Sequence, residues 1–131
     1  MSTVAMVEYE QATGLVKQVY DDIKLTRKTD RIPNFWKTLA THPPTLARVW
    51  GDVKAVMAPG RLDVLTKEMI AIAVSATNGC SYCVNSHTTA AMKLGMDTEM
   101  LGELMAVVGM FNTTNKLAEG YQVVPDVIPP V

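Results

Sequence analysis

A chain of 131 residues fits one domain, and its length leaves no room for a second core. Hydrophobic residues make up 48% and charged residues 19%, an apolar share beyond what one small core buries, which favours a homo-oligomer. A formal net charge of -1 with no dense run of Lys and Arg excludes a phosphate-tracking surface, and with it a nucleic-acid partner.

Residues 1–11 carry Glu8 and Glu10 instead of a basic stretch leading into an apolar one, so no secretory signal and a cytoplasmic location are expected. From Glu8 to Lys28, apolar Ala12, Leu15, Val16, Val19, Tyr20 and Ile23 recur at spacings of three and four, which predicts one amphipathic helix. Arg27, Lys28 and Arg31 cluster at its end, as the helix dipole prefers, and Pro33 restarts the chain as a short helix through Leu39. His42, Pro43 and Pro44 break that helix, with His42 read as a solvated turn residue. The next helix is expected from Pro44 or Thr45, with Leu46, Val49, Trp50, Val53 and Val56 on its apolar side, ending by Pro59 and Gly60. Trp36, Trp50 and Phe35 are read as packing residues.

Asp63 is a good N-cap for a helix over Val64 to Thr77, which Asn78 and Gly79 stop. Its apolar stretch from Met69 to Ala76 is interrupted by Ser75 and falls far short of the roughly 20 residues that span a bilayer, so no membrane partner is expected. Cys80 follows at once, and Cys83, Val84, His87, Ala90, Ala91 and Leu94 fall on one side thereafter, so Gly79 reads as the bend of a helical hairpin. Gly95 closes the second arm. Asp97 or Thr98 then caps a helix carrying Met100, Leu101, Leu104, Met105 and Val108, and Asn112 or Thr113 is expected to start a separate short helix toward Tyr121. The many Met residues read as flexible filler of core and interfaces. The predicted fold is therefore all-α, a single helical domain over residues 1–122 with the Cys pair at the start of the second arm of a central hairpin. A Pro-rich tail over residues 123–131 should be extended.

The chemistry concentrates in that hairpin. Residues three and four apart share a helix face, so Cys80, Cys83 and His87 form one stripe. Two residues between the thiols at a helix start allow their alpha carbons to come within the roughly 7 Å that a disulfide needs, and the N-terminal dipole favours the thiolate that attacks electrophiles. His87 lies four residues after Cys83, within reach to act as its base. Glu68 interrupts an apolar helix face on the opposite arm, at a height only about 5 Å from that of His87 at about 1.5 Å per residue. A carboxylate there would orient the imidazole, the base-plus-orienter arrangement of activated nucleophiles.

The stretch from Glu68 to His87, a glutamate, eleven residues, a CxxC pair, three residues and a histidine, resembles the AhpD-like alkylhydroperoxidases of the carboxymuconolactone decarboxylase superfamily. The likeness runs in detail from about Leu62 to Gly95. It implies an all-helical AhpD-like fold assembled into trimers or hexamers, reducing hydroperoxides through the cysteine pair with no metal or organic cofactor. It implies further that Cys83 attacks the peroxide, that His87 and Glu68 relay its proton, and that Cys80 resolves it to a disulfide, which an unidentified dithiol or protein reductant then reduces. Such an activity is antioxidant in kind. The residues by themselves leave another division of labour open, with Cys80, nearer the helix terminus, as the more exposed thiol that meets the reductant. One position departs from the best-studied members, which have a histidine between the cysteines where this chain has Tyr82. A phenol donates a hydrogen bond but is a poor base near neutral pH, so the peroxidase efficiency of those members does not carry over to this chain. Three other readings of the same residues stand beside this one: a zinc site built from the two thiolates, the imidazole and the carboxylate, a decarboxylase of the same superfamily, and a non-catalytic redox-responsive oligomeric module.

Overall fold

The computed structural model describes residues 1–130, and every regular element among them is helical. Val131, the last residue of the expected tail, lies outside the described residues. The chain gathers into two compact units, one ending at Ala58 and the other beginning at Pro59.

The first unit opens with a 3-10 turn, Tyr9–Gln11, and continues through α1 (Gly14–Arg27), α2 (Asn34–Leu39) and α3 (Pro43–Met57). The single helix expected from Glu8 is thus interrupted. Glu8 and Gln11 close a capping box around the short turn, and Thr13 adopts extended angles, so α1 nucleates only at Gly14. Leu15 of the predicted apolar stripe is exposed, whereas Val16, Val19, Tyr20 and Ile23 are buried, as is Ala12 just before the helix. They pack with Leu46 and with Trp36 and Trp50, whose rings meet edge to face at 5.3 Å between centroids. Phe35 stays half-exposed beside Trp36. The Trp50 indole donates to Asp22 (2.6 Å), whose carboxyl is held below the usual range by its hydrogen bonds with Lys54 and with Trp50. His42 is more than a turn residue: it is the N-cap of α3, its Nδ1 accepting from the Thr45 N–H.

The second unit contains α4 (Val64–Thr77), α5 (Ser81–Lys93) and α6 (Thr98–Gly120). Asp63 caps α4 through the Thr66 N–H (2.7 Å), as its residue type predicts. α4 and α5 form the hairpin, packed around Ile72, Ala91 and Met96 with Leu65, Met69, Met100, Leu101 and Leu104 at the edges. Asp97 caps α6, which runs unbroken where two helices were expected. Asn112 and Thr113 have no need to start a new one, because their side chains donate to the carbonyls of Val108 (2.8 Å) and Gly109 (3.0 Å) one turn earlier. No residue of α6 is fully buried, and Val107, Met110, Phe111 and Leu117 are each more than half exposed. Residues 123–130 carry no helix.

The bend between the hairpin arms sets up everything that follows. Gly79 sits at φ +71°, the left-handed region, its N–H donating to the Ala76 carbonyl, while the Cys80 N–H donates to the Ser75 carbonyl at 2.9 Å. These two bonds close the end of α4, a termination that needs a residue free of the Cβ penalty at the second-last place. Gly79→Ala is therefore expected to destabilise the fold by about 1–2 kcal/mol. Gly102→Ala, in open space on α6, should be neutral or stabilise it by up to about 1 kcal/mol. Urea unfolding of the two variants beside the parent chain measures both.

Candidate redox site

Cys80 occupies two structural roles at once. Its N–H closes α4, and its side chain caps α5, with Sγ accepting from the Cys83 N–H at 3.2 Å. The left-handed turn at Gly79 lets Cys80 serve as the N-cap of a new helix that begins at Ser81, and the first turn of α5 then carries Cys83 back beneath Cys80. The two residues are joined by a disulfide, with alpha carbons 5.3 Å apart, inside the range expected from their spacing.

His87 lies one turn beyond Cys83 on α5, and its Nδ1 is 2.7 Å from Oε2 of Glu68 on α4. The side chain of Glu68 is only 12% exposed and that of His87 30%, so the contact is largely shielded from water. Counting from the bend explains the meeting: Glu68 stands on the arm that enters Gly79 and His87 on the arm that leaves it, at similar distances along the two antiparallel helices. An ionised carboxylate can only accept, so against it Nδ1 carries the proton and Nε2 is left to exchange protons with a neighbour. All four residues singled out from the sequence, Cys80, Cys83, His87 and Glu68, thus lie on one hairpin, paired two by two. Tyr82, between the cysteines, is 43% exposed. Among the described residues, no three His, Cys, Asp or Glu side chains converge as a metal would require. None of the described helices is long and apolar enough to cross a membrane.

A hollow of about 270 Å³ beside Cys80, lined by Ala76 and Gly79 and by Ser81, Val84 and Asn85 of α5, is not anticipated by the sequence reading. The i, i+3, i+4 spacing of the last three sets them along one stripe of α5, but hydrophobic spacing does not record the space beside that stripe.

The profile of the carboxymuconolactone decarboxylase family matches residues 43–125, which include the whole hairpin. The chain belongs to that family. Its fold is similar to the crystal structure of the alkylhydroperoxidase AhpD core from Rhodospirillum rubrum, with a TM-score of 0.92 and 43% sequence identity over 96% of this chain and 95% of that one. The all-helical AhpD-like fold expected from the resemblance is therefore the fold observed. The family member is also similar to alkyl hydroperoxide reductase AhpD of Streptomyces coelicolor, 28% identical over 108 residues, 79% of this chain and 60% of that protein. An (R)-2-haloacid dehalogenase of Pseudomonas putida is 29% identical over 111 residues, 81% of this chain. The chain spans 60% and 35% of the lengths of these two relatives.

With both sulfurs in one bond, the oxidised protein is expected to show no thiol toward an aromatic disulfide reagent. After reduction and desalting it should show two, and a single stoichiometric addition of hydroperoxide should remove both together. Loss of one thiol only would mean that the pair does not close.

Proposed function

We propose that this member of the family is a thiol-dependent peroxidase and disulfide oxidoreductase that reduces hydroperoxides through Cys80 and Cys83, with Glu68 and His87 as a proton relay. The observation that carries the reading is the pairing itself: a disulfide at the mouth of α5 and, one turn deeper, an imidazole anchored at 2.7 Å to a mostly buried carboxylate.

In the reduced protein His87 takes the Cys83 proton through Nε2, and the carboxylate of Glu68 stabilises the imidazolium that forms. The Cys83 thiolate attacks one peroxide oxygen. The O–O bond breaks, the sulfur becomes a sulfenic acid, and the departing alkoxide leaves as alcohol with the proton from His87. Cys80 then attacks the Cys83 sulfur, the S–O bond breaks, and water departs as the disulfide closes. An external dithiol or protein thiol restores the pair. No step calls for an organic cofactor or a metal.

The reading extends to assembly and place. A homo-oligomer, trimeric or hexameric as the resemblance implies, would cover the exposed apolar side chains of α6, and a cytoplasmic setting would keep a reductant at hand.

Cys83→Ser is expected to reduce peroxide consumption to the uncatalysed background. His87→Ala should slow it by about 10²–10⁴-fold. Glu68→Gln, which keeps an acceptor but loses the charge, should slow it by about tenfold, the equivalent of roughly 1.4 kcal/mol. Peroxide-dependent turnover with a panel of dithiols measures all three. Unchanged rates, or a stoichiometric bound metal with no peroxide-dependent loss of thiols, would contradict the assignment.

A further inference from the structure

Closing the cycle requires a thiol to attack one of the two sulfurs, and these are not equivalent. We infer that the reductant attacks Sγ of Cys80, reached through the hollow between the end of α4 and the outer face of α5, and that Cys83 is the sulfur released. The inference rests on the thiol-exchange reading of the site and adds which atom receives the electrons.

Three observations lead to it. The first is access. With roughly 100° per residue, Ser81 and Asn85 lie about 120–160° round α5 from Cys83 and His87, and Val84, three residues before His87, lies between the two sets. Cys80 stands at the boundary, and it lines the hollow while Cys83 and His87 do not. Displacement at sulfur needs the incoming atom in line with the bond that breaks, so the open side of the pair matters.

The second observation is the fate of the leaving group. When a thiolate bonds to Cys80 Sγ, the Cys80–Cys83 bond breaks and its electron pair stays on Cys83. That sulfur is one helical turn from His87, whose ring is held in place by its hydrogen bond to Glu68. The proton lost by the incoming thiol is returned to Cys83 through this imidazole. The released group is thereby the one that the proposed peroxide step uses next.

The third concerns the second half of the exchange. The reductant's other thiol attacks its own sulfur in the mixed disulfide, closing the reductant's disulfide and leaving the electron pair on Cys80. The Cys83 N–H already points at that sulfur at 3.2 Å, so the opening turn of α5 stabilises the thiolate as it departs. Each departing sulfur thus has its own stabiliser. The balance is complete: a protein disulfide and a dithiol become a protein dithiol and the reductant's disulfide.

The test needs no peroxide, so it stays informative even if the peroxidase assignment fails. The oxidised full-length protein is mixed with limiting 2-mercaptoethanol, a monothiol that cannot complete the second step by itself. The reaction is quenched with acid, exposed thiols are capped with a maleimide, and fragments are read by tandem mass spectrometry. The mercaptoethanol adduct should lie on Cys80 and the maleimide on Cys83, with about tenfold or greater excess over the reverse pattern. An adduct on Cys83, or one divided evenly between the two, would overturn the inference. In a second arm, Asn85→Trp, which fills the hollow from its rim, should slow reduction by the monothiol by about tenfold. An unchanged rate would overturn the hollow as the route.

Discussion

The hydrogen bond between Glu68 and His87 is the constraint around which the second unit makes chemical sense. A carboxylate placed on the inner side of an apolar helix is costly to desolvate unless a partner meets it, and here the partner comes from another element. The antiparallel return of α5 supplies it. In exchange the imidazole is held in one orientation and one tautomer, one turn from a sulfur, which is the placement the proposed proton relay requires. Neither residue has that meaning alone, and the pair exists only while the hairpin keeps its register.

That register is set at the bend. A left-handed Gly79 ends α4, and the very next residue both completes that ending with its N–H and begins α5 with its sulfur. Moving the bend by one residue would rotate α5 by roughly 100° about its axis and carry His87 away from Glu68. The redox pair is therefore part of the scaffold as well as its cargo. Cys80 does for α5 what Asp63 does for α4 and Asp97 for α6, where the capping atom is a carboxylate oxygen instead.

Much of this was legible in the residues. Local signals with one physical meaning were read correctly: Asp63 as a cap, the extent of α4, Gly79 and Gly95 as stops, and the shared face of Cys80, Cys83 and His87. The meeting of Glu68 with His87 followed from counting residues on either side of the bend. Signals with two physical meanings were misread. Asn112 and Thr113 are as able to bond the preceding turn of a helix as to cap a new one, and only the continuity of α6 decides between them. Likewise, the periodicity from Glu8 onward could not show that a capping box would close at Gln11 and delay α1 until Gly14. The hollow beside Cys80 depends on the absence of side-chain volume where two helices diverge, which no pattern of hydrophobic spacing records.

The relay is tested most directly by a double-mutant cycle between Glu68 and His87, read as the rate at which the fully reduced protein closes its disulfide on hydroperoxide. If the carboxylate acts through the imidazole, Glu68→Gln has almost no effect once His87→Ala is present, and the double variant is as slow as the histidine variant alone. If the two substitutions instead slow the reaction by independent factors that multiply, Glu68 does not work through His87, and the relay is contradicted.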